Sequence, residues 1–117
     1  MIQHNNDKGS VIVSAAVYTE IAGTAATNCF GVKGMAARSV QDGLFHLLRK
    51  ESAGKGVLVE FHEDNTITID LHIIVDHGVN LQAVGASIIS EVRYVVPKCT
   101  GTDIRAVNVY IDSMMIG

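Results

Sequence analysis

The stretch Thr66-Ile67-Thr68-Ile69-Asp70-Leu71-His72-Ile73-Ile74-Val75 decides the fold. Residues 67, 69, 71, 73 and 75 are large and aliphatic, while residues 66, 68, 70 and 72 are polar. Side chains of an extended chain alternate between two faces, so this period of two predicts a half-buried strand. It is the longest clean alternation in the chain, and its neighbours are expected to pack on its apolar face or pair along its edges.

On the N-terminal side of that strand, Val57–His62 carries Val57, Val59 and Phe61 on one face and runs into the turn residues Glu63-Asp64-Asn65. Val57–Val75 therefore predicts a β-hairpin. On the C-terminal side, Asp76-His77-Gly78 ends the strand and Asn80 is placed to cap a helix over Leu81–Val95. Its stripe is Leu81, Val84, Ile88, Val92 and Val95, with Ile88 and Val92 expected to face Ile69 and Leu71. Pro97, the only proline, is expected to close it. A last strand, Ile104–Ile111, alternates again, with Val107, Val109 and Ile111 inward and Asn108, Tyr110 and Asp112 outward.

The first half of the chain is patterned less strongly. Met1–Lys8 is polar and expected to be flexible, which leaves 9–117 as a single domain. Gly9–Ser14 predicts a short strand ending on Ser14 as an N-cap, followed by a helix over Ala15–Asn28 that buries Val17, Ile21 and Ala25. Gly31-Val32-Lys33-Gly34 predicts a turn, and Val40, Leu44, Leu47 and Leu48 predict a second helix over Val40–Lys50. The resulting order, β-α-α-β-β-α-β, gives an α/β (α+β) two-layer sandwich with helices on one face of a small mixed sheet. The connection through the last helix is long enough for a parallel crossover, expected to be right-handed.

Composition narrows the function classes. The 117 residues are 48% hydrophobic and 18% charged, as in a globular domain, with a formal charge of −3. An acidic balance disfavours a nucleic-acid or acidic-membrane surface. Two cysteines, Cys29 and Cys99, suit buried thiols better than a disulfide framework. No apolar run approaches the ~20 residues of a membrane span, and the polar N-terminus does not resemble a signal peptide. The expectation is a cytoplasmic protein without direct membrane insertion.

Gly9-Ser10-Val11-Ile12-Val13-Ser14, Ile21-Ala22, Ala25-Ala26, Gly31-Val32 and Gly34-Met35 resemble the opening of the alkaline-shock, or envelope stress response, family of Gram-positive bacteria. Gly56-Val57, Ile69-Asp70-Leu71 and Gly78 resemble its middle, and Thr100-Gly101 with Ala106-Val107-Asn108-Val109 its closing strand. His77 stands where members often have an aromatic residue, and Phe30 where many have proline. The long charged tails of some members have no counterpart here. The resemblance implies a cytosolic α/β domain without enzymatic activity, linked to cell-envelope homeostasis. It also implies a protein partner, in some members a membrane-anchoring protein.

The outward strand positions carry the candidate site. Asp70, His72, Asn108 and Tyr110 are expected on the helix-free side of the sheet, as a face for a protein partner or a second copy, with a homo-oligomer expected. Glu60, His62 and Asp112 fall on the same side. Carboxylates and imidazoles together could serve a metal or acid–base chemistry, but no ligand spacing supports that. No catalytic, cofactor or metal residue is assigned. The alternative is a KH-like nucleic-acid clamp at Gly31, Lys33 and Gly34, a G-x-x-G loop between two helices; the acidic balance and single lysine weigh against it.

Overall fold

The computed structural model describes residues 2–38, 45–48 and 56–116. The elements run β1 (Ile2–Asn6), β2 (Gly9–Val13), α1 (Ala15–Thr27), β3 (Val32–Arg38), β4 (Phe45–Leu48), β5 (Val57–Phe61), β6 (Thr66–Asp76), α2 (Leu81–Thr100) and β7 (Asp103–Met115). The fold is a mixed α+β one, with two helices among the described residues.

β6 is the alternating stretch, and its residues 67, 69, 71, 73 and 75 are all fully buried. β7 pairs with it in parallel over its whole length, from Thr66↔Asp103 to Asp76↔Met115. The opposite edge of β6 is shared by two antiparallel strands. β5 takes Ile67–Leu71 and β3 takes Ile73–Val75. At the junction stands Gly56, where a Cβ would lie 2.8 Å from Ala36 O, 2.9 Å from His72 O and 2.9 Å from Met35 Cβ. Only glycine lets the three chains meet there. Asn65, at φ 64°, turns β5 into β6.

α1 lies over β5, β3 and β6, and α2 lies over β7 and against α1. Ile88 and Val92 join Ile69 and Leu71 in one buried cluster, although the chief neighbours of α2 are β7 and α1. The Asn80 side chain caps α2 by accepting from the Ala83 amide at 3.0 Å. α2 continues past Pro97 to Thr100. A proline near a helix end withholds only its own amide. Here the Thr100 hydroxyl donates to Val96 O (2.7 Å), and Gly101, left-handed at φ 74°, donates its amide to Pro97 O (2.8 Å).

Four expectations are corrected. The N-terminus is the first strand of a hairpin, with Ile2 in the core; Asn6 Oδ1 closes the turn by accepting from the amides of Lys8 (2.7 Å) and Gly9 (3.1 Å). α1 buries Tyr18, Ala22, Ala25 and Ala26. Of the expected stripe Val17, Ile21 and Ala25, Ala25 is buried and Ile21 packs partly buried against the core, but Val17 is exposed. Tyr18 sets that rotation. Its ring meets Phe61 edge-on at 5.9 Å, its hydroxyl shares a 2.7 Å hydrogen bond with Thr102, and the alanines allow close approach. Ser14 holds the N-cap position of α1 but makes no side-chain cap bond. Finally, Phe45–Leu48 is strand β4, antiparallel to β3, where a helix over Val40–Lys50 was expected. A run as short as Phe-His-Leu-Leu fits either period, and pairing with β3 decides it. The remainder of that expected helix, residues 40–44 and 49–50, lies outside the described residues.

Two glycines give a paired test. Gly56→Ala is expected to lower stability by about 1–3 kcal/mol, since its methyl group meets backbone atoms that cannot give way. Gly85, within α2, has open space where a Cβ would stand, and Gly85→Ala is expected to raise stability by about 0.5–1 kcal/mol through helix propensity. Urea unfolding of the two variants beside the parent chain measures both signs.

Candidate functional site: the bare face of the sheet

Because β6 and β7 run parallel and in register, their outward side chains stand side by side. Asp70 is opposite Asn108 and His72 is opposite Tyr110. Asn108 Nδ2 donates to Asp70 Oδ1 at 2.8 Å. The imidazole of His72 stacks on the Tyr110 ring, centroids 4.7 Å apart and planes 10° from parallel. His72 Nδ1 lies 2.9 Å from Asp112 Oδ2, with both side chains largely buried. A carboxylate oxygen accepts, so this contact puts a proton on Nδ1 and fixes the ring's orientation. The four expected residues are thus brought together in one ladder, and both helices pack on the opposite side of the sheet.

Asp112, expected outward by alternation, joins the ladder as the extra residue of β7 where the β6–β7 register shifts between Ile73 and Ile74. The shift itself was not legible in the sequence, and neither was Leu58 as a site residue. Leu58 lies opposite Asp70 on the other flank and is 62% exposed, and Tyr110 is 45% exposed. The face therefore has polar groups in the middle with an apolar side chain on each side. Glu60 and His62 lie further along: His62 Nε2 is 2.7 Å from Thr68 Oγ1, and its Nδ1 is 4.0 Å from Glu60. No group of three or more histidine, cysteine or acidic side chains among the described residues could hold a metal ion.

The Gly31–Gly34 alternative loses its geometric basis. Val32 begins β3, and Lys33 is the extra residue where the β3–β6 register shifts between Val32 and Gly34. Lys33 Nζ lies 3.5 Å from Asp76 Oδ1. Gly31 is a turn residue at φ 88°, packed beneath Val79 and Val84. These residues lead from α1 into a strand, so they are not a loop joining two helices.

Clefts lie elsewhere. One of about 480 Å³ is lined by Phe30, His77, Asn80, Val84 and Ser87 at the start of α2, and one of about 460 Å³ lies between α1 and α2 beside Glu20, Glu91 and Cys99. Of the two thiols, Cys99 is exposed, against the expectation of burial, and Cys29 is half-buried. Burial pushes the Cys29 thiol up from its ordinary pKa; Ser87 opposes this by hydrogen bonding, and Glu91 adds to it.

A small α+β domain with an open, polar sheet face is the class these features define. The chain belongs to the alkaline shock protein 23 family, described as having a cell envelope-related function, with residues 3–116 matched. The uncharacterized protein YloU of Bacillus subtilis (strain 168) is 35% identical over 109 residues, covering 92% of this chain and 90% of the relative. The uncharacterized protein Spy1614 of Streptococcus pyogenes serotype M6 is 32% identical over 116 residues, covering 98% and 95%. The uncharacterized protein YqhY of Bacillus subtilis (strain 168) is 33% identical over 103 residues, covering 88% and 75%. No solved structure matches. No helix among the described residues is long and apolar enough to cross a membrane.

The thiols provide a check on the helical side. The thiolate is the reactive form, and a raised pKa with burial slows its formation. A chromogenic disulfide reagent at neutral pH is expected to modify one thiol quickly and one slowly, with the fast phase lost in Cys99→Ser. A fast phase that survives in that variant contradicts the placement of Cys29.

Proposed function

We propose that this chain is a non-enzymatic interaction protein of the cell envelope, working in the cytoplasm and reaching the membrane through a protein partner. The partner binds the helix-free face of β6 and β7. One observation carries the reading: Asp70, His72, Asn108 and Tyr110 are held in fixed positions by each other and by Asp112, on a face to which neither helix is committed. A rigid tyrosine is the kind of amphipathic anchor enriched at interface hot spots. A surface whose side chains are already ordered loses less entropy on binding. Leu58 adds an exposed apolar contact on the opposite flank. The family's envelope-related description and the membrane-anchoring partner implied by the resemblance support a protein as the occupant.

The double change Asp70→Lys with Tyr110→Ala tests this. Neither residue is in the buried core, so the thermal unfolding midpoint is expected to move by only a few degrees. Capture of envelope proteins by the immobilised chain, from a detergent-solubilised Gram-positive lysate, is expected to fall at least tenfold relative to the parent. Undiminished capture by the folded double variant rules out this face as the binding surface.

A further inference from the structure

β7 offers a second surface, distinct from the bare face: its outer edge. One edge of this 13-residue strand is filled by β6, and among the described residues no strand pairs with the other. An open edge presents a row of backbone amides and carbonyls that another strand can complete. Proteins usually blunt such edges with bulges, charges or proline. The register shifts of β7 make Arg105 and Asp112 its extra residues. Between them, Ala106-Val107-Asn108-Val109-Tyr110-Ile111 has no charge, no proline and no glycine, and it is rich in β-branched and aromatic residues. That composition favours strand pairing. The core is also incompletely closed here. Val107 is buried beneath the helical layer, but Ile104, Val109 and Ile111 are only partly covered.

We propose that two copies of the chain pair through antiparallel β7 edges about a two-fold axis near Val109. Such an axis, perpendicular to the sheet, keeps both helical layers on one side and both bare faces on the other. With Val109 on the axis, Asn108 lies opposite Tyr110 of the second copy and Val107 opposite Ile111, so the half-covered Val109 meets its own counterpart and the half-covered Ile111 meets Val107. The pattern about Val109 argues for a second copy over an unrelated strand. Val107 and Ile111 stand two positions to either side and Asn108 and Tyr110 next to it, so the segment complements itself across the two-fold axis. Arg105 and Asp112 are engaged within their own chain by Asp64 (3.2 Å) and His72 (2.9 Å). The backbone pairing uses the edge, and it sets Asn108 and Tyr110 of the two bare faces side by side.

Sedimentation equilibrium of the purified full chain over a range of concentrations, without any partner, tests the proposal. A reversible dimer is expected. Asn108→Lys with Tyr110→Lys sets like charges opposite each other twice, and is expected to raise the dimer dissociation constant roughly tenfold or more. Asn108→Glu with Tyr110→Lys sets opposite charges at the same places and is expected to restore dimerisation to near the parent value. Hydrogen exchange on the unaltered chain supplies a readout that does not depend on variants folding: amides within Ala106–Ile111 are expected to gain protection as concentration rises. A chain that stays monomeric overturns the proposal. So does a dimer that forms equally well with both charge arrangements, or one that leaves exchange at Ala106–Ile111 unchanged.

Discussion

The structure depends on β6 being paired along both edges. β7 occupies one edge over its full length, while β5 and β3 divide the other end to end. That division requires three backbones to converge on Gly56, where nothing larger than hydrogen fits. It also keeps β6 central, so that its five odd-numbered residues can be buried beneath α1 and the neighbouring side chains while its polar even-numbered residues face away from the helices. Full burial of one such aliphatic side chain contributes about 1.5–3 kcal/mol, so the row Ile67 to Val75 is a large share of what holds the domain together. A one-residue slip of β6 would turn that row outward and dismantle the polar ladder at the same time. Stability and the candidate surface therefore depend on the same register.

The parts legible in the sequence are those with a strong, unshared period. Ile67–Val75 alternates cleanly, and Val84, Ile88 and Val92 repeat at helical spacing with Asn80 in front, so β6, α2 and the parallel β7 follow. Asp70, His72, Asn108 and Tyr110 fall together for the same reason. Other elements are decided by tertiary partners. β1 is almost wholly polar and is held by Ile2 in the core and by polar contacts such as Ser10 Oγ donating to Asn5 Oδ1 at 2.7 Å. Met35 and Ala36 have little strand preference of their own, yet are buried in β3 because the upper edge of β6 needs a partner. The rotation of α1 follows from Tyr18 finding Phe61 and Thr102, residues far away in the chain. Asp112 falls on the outward face by alternation, but its place as the extra residue of a bulge beside His72 does not show in the sequence.

The bare face is ordered within the single chain. Its hydrogen bonds and ring stacking run across two strands that are themselves central to the fold, so its side chains are presented rigidly. Such a surface suits recognition that depends on shape and direction more than on net charge, which fits a chain with a formal charge of only −3. Membership of a family described as having a cell envelope-related function supports the proposed role of this surface.

The most direct measurement is site-specific photo-crosslinking in living Gram-positive cells. One version of the chain carries the photoreactive residue at Leu58, exposed on the bare face, and the other carries it at Val17, exposed on α1. Partner binding at the bare face predicts a defined protein adduct from position 58 and none from position 17. An adduct formed only from position 17 would contradict it, and would place the working surface on the helices.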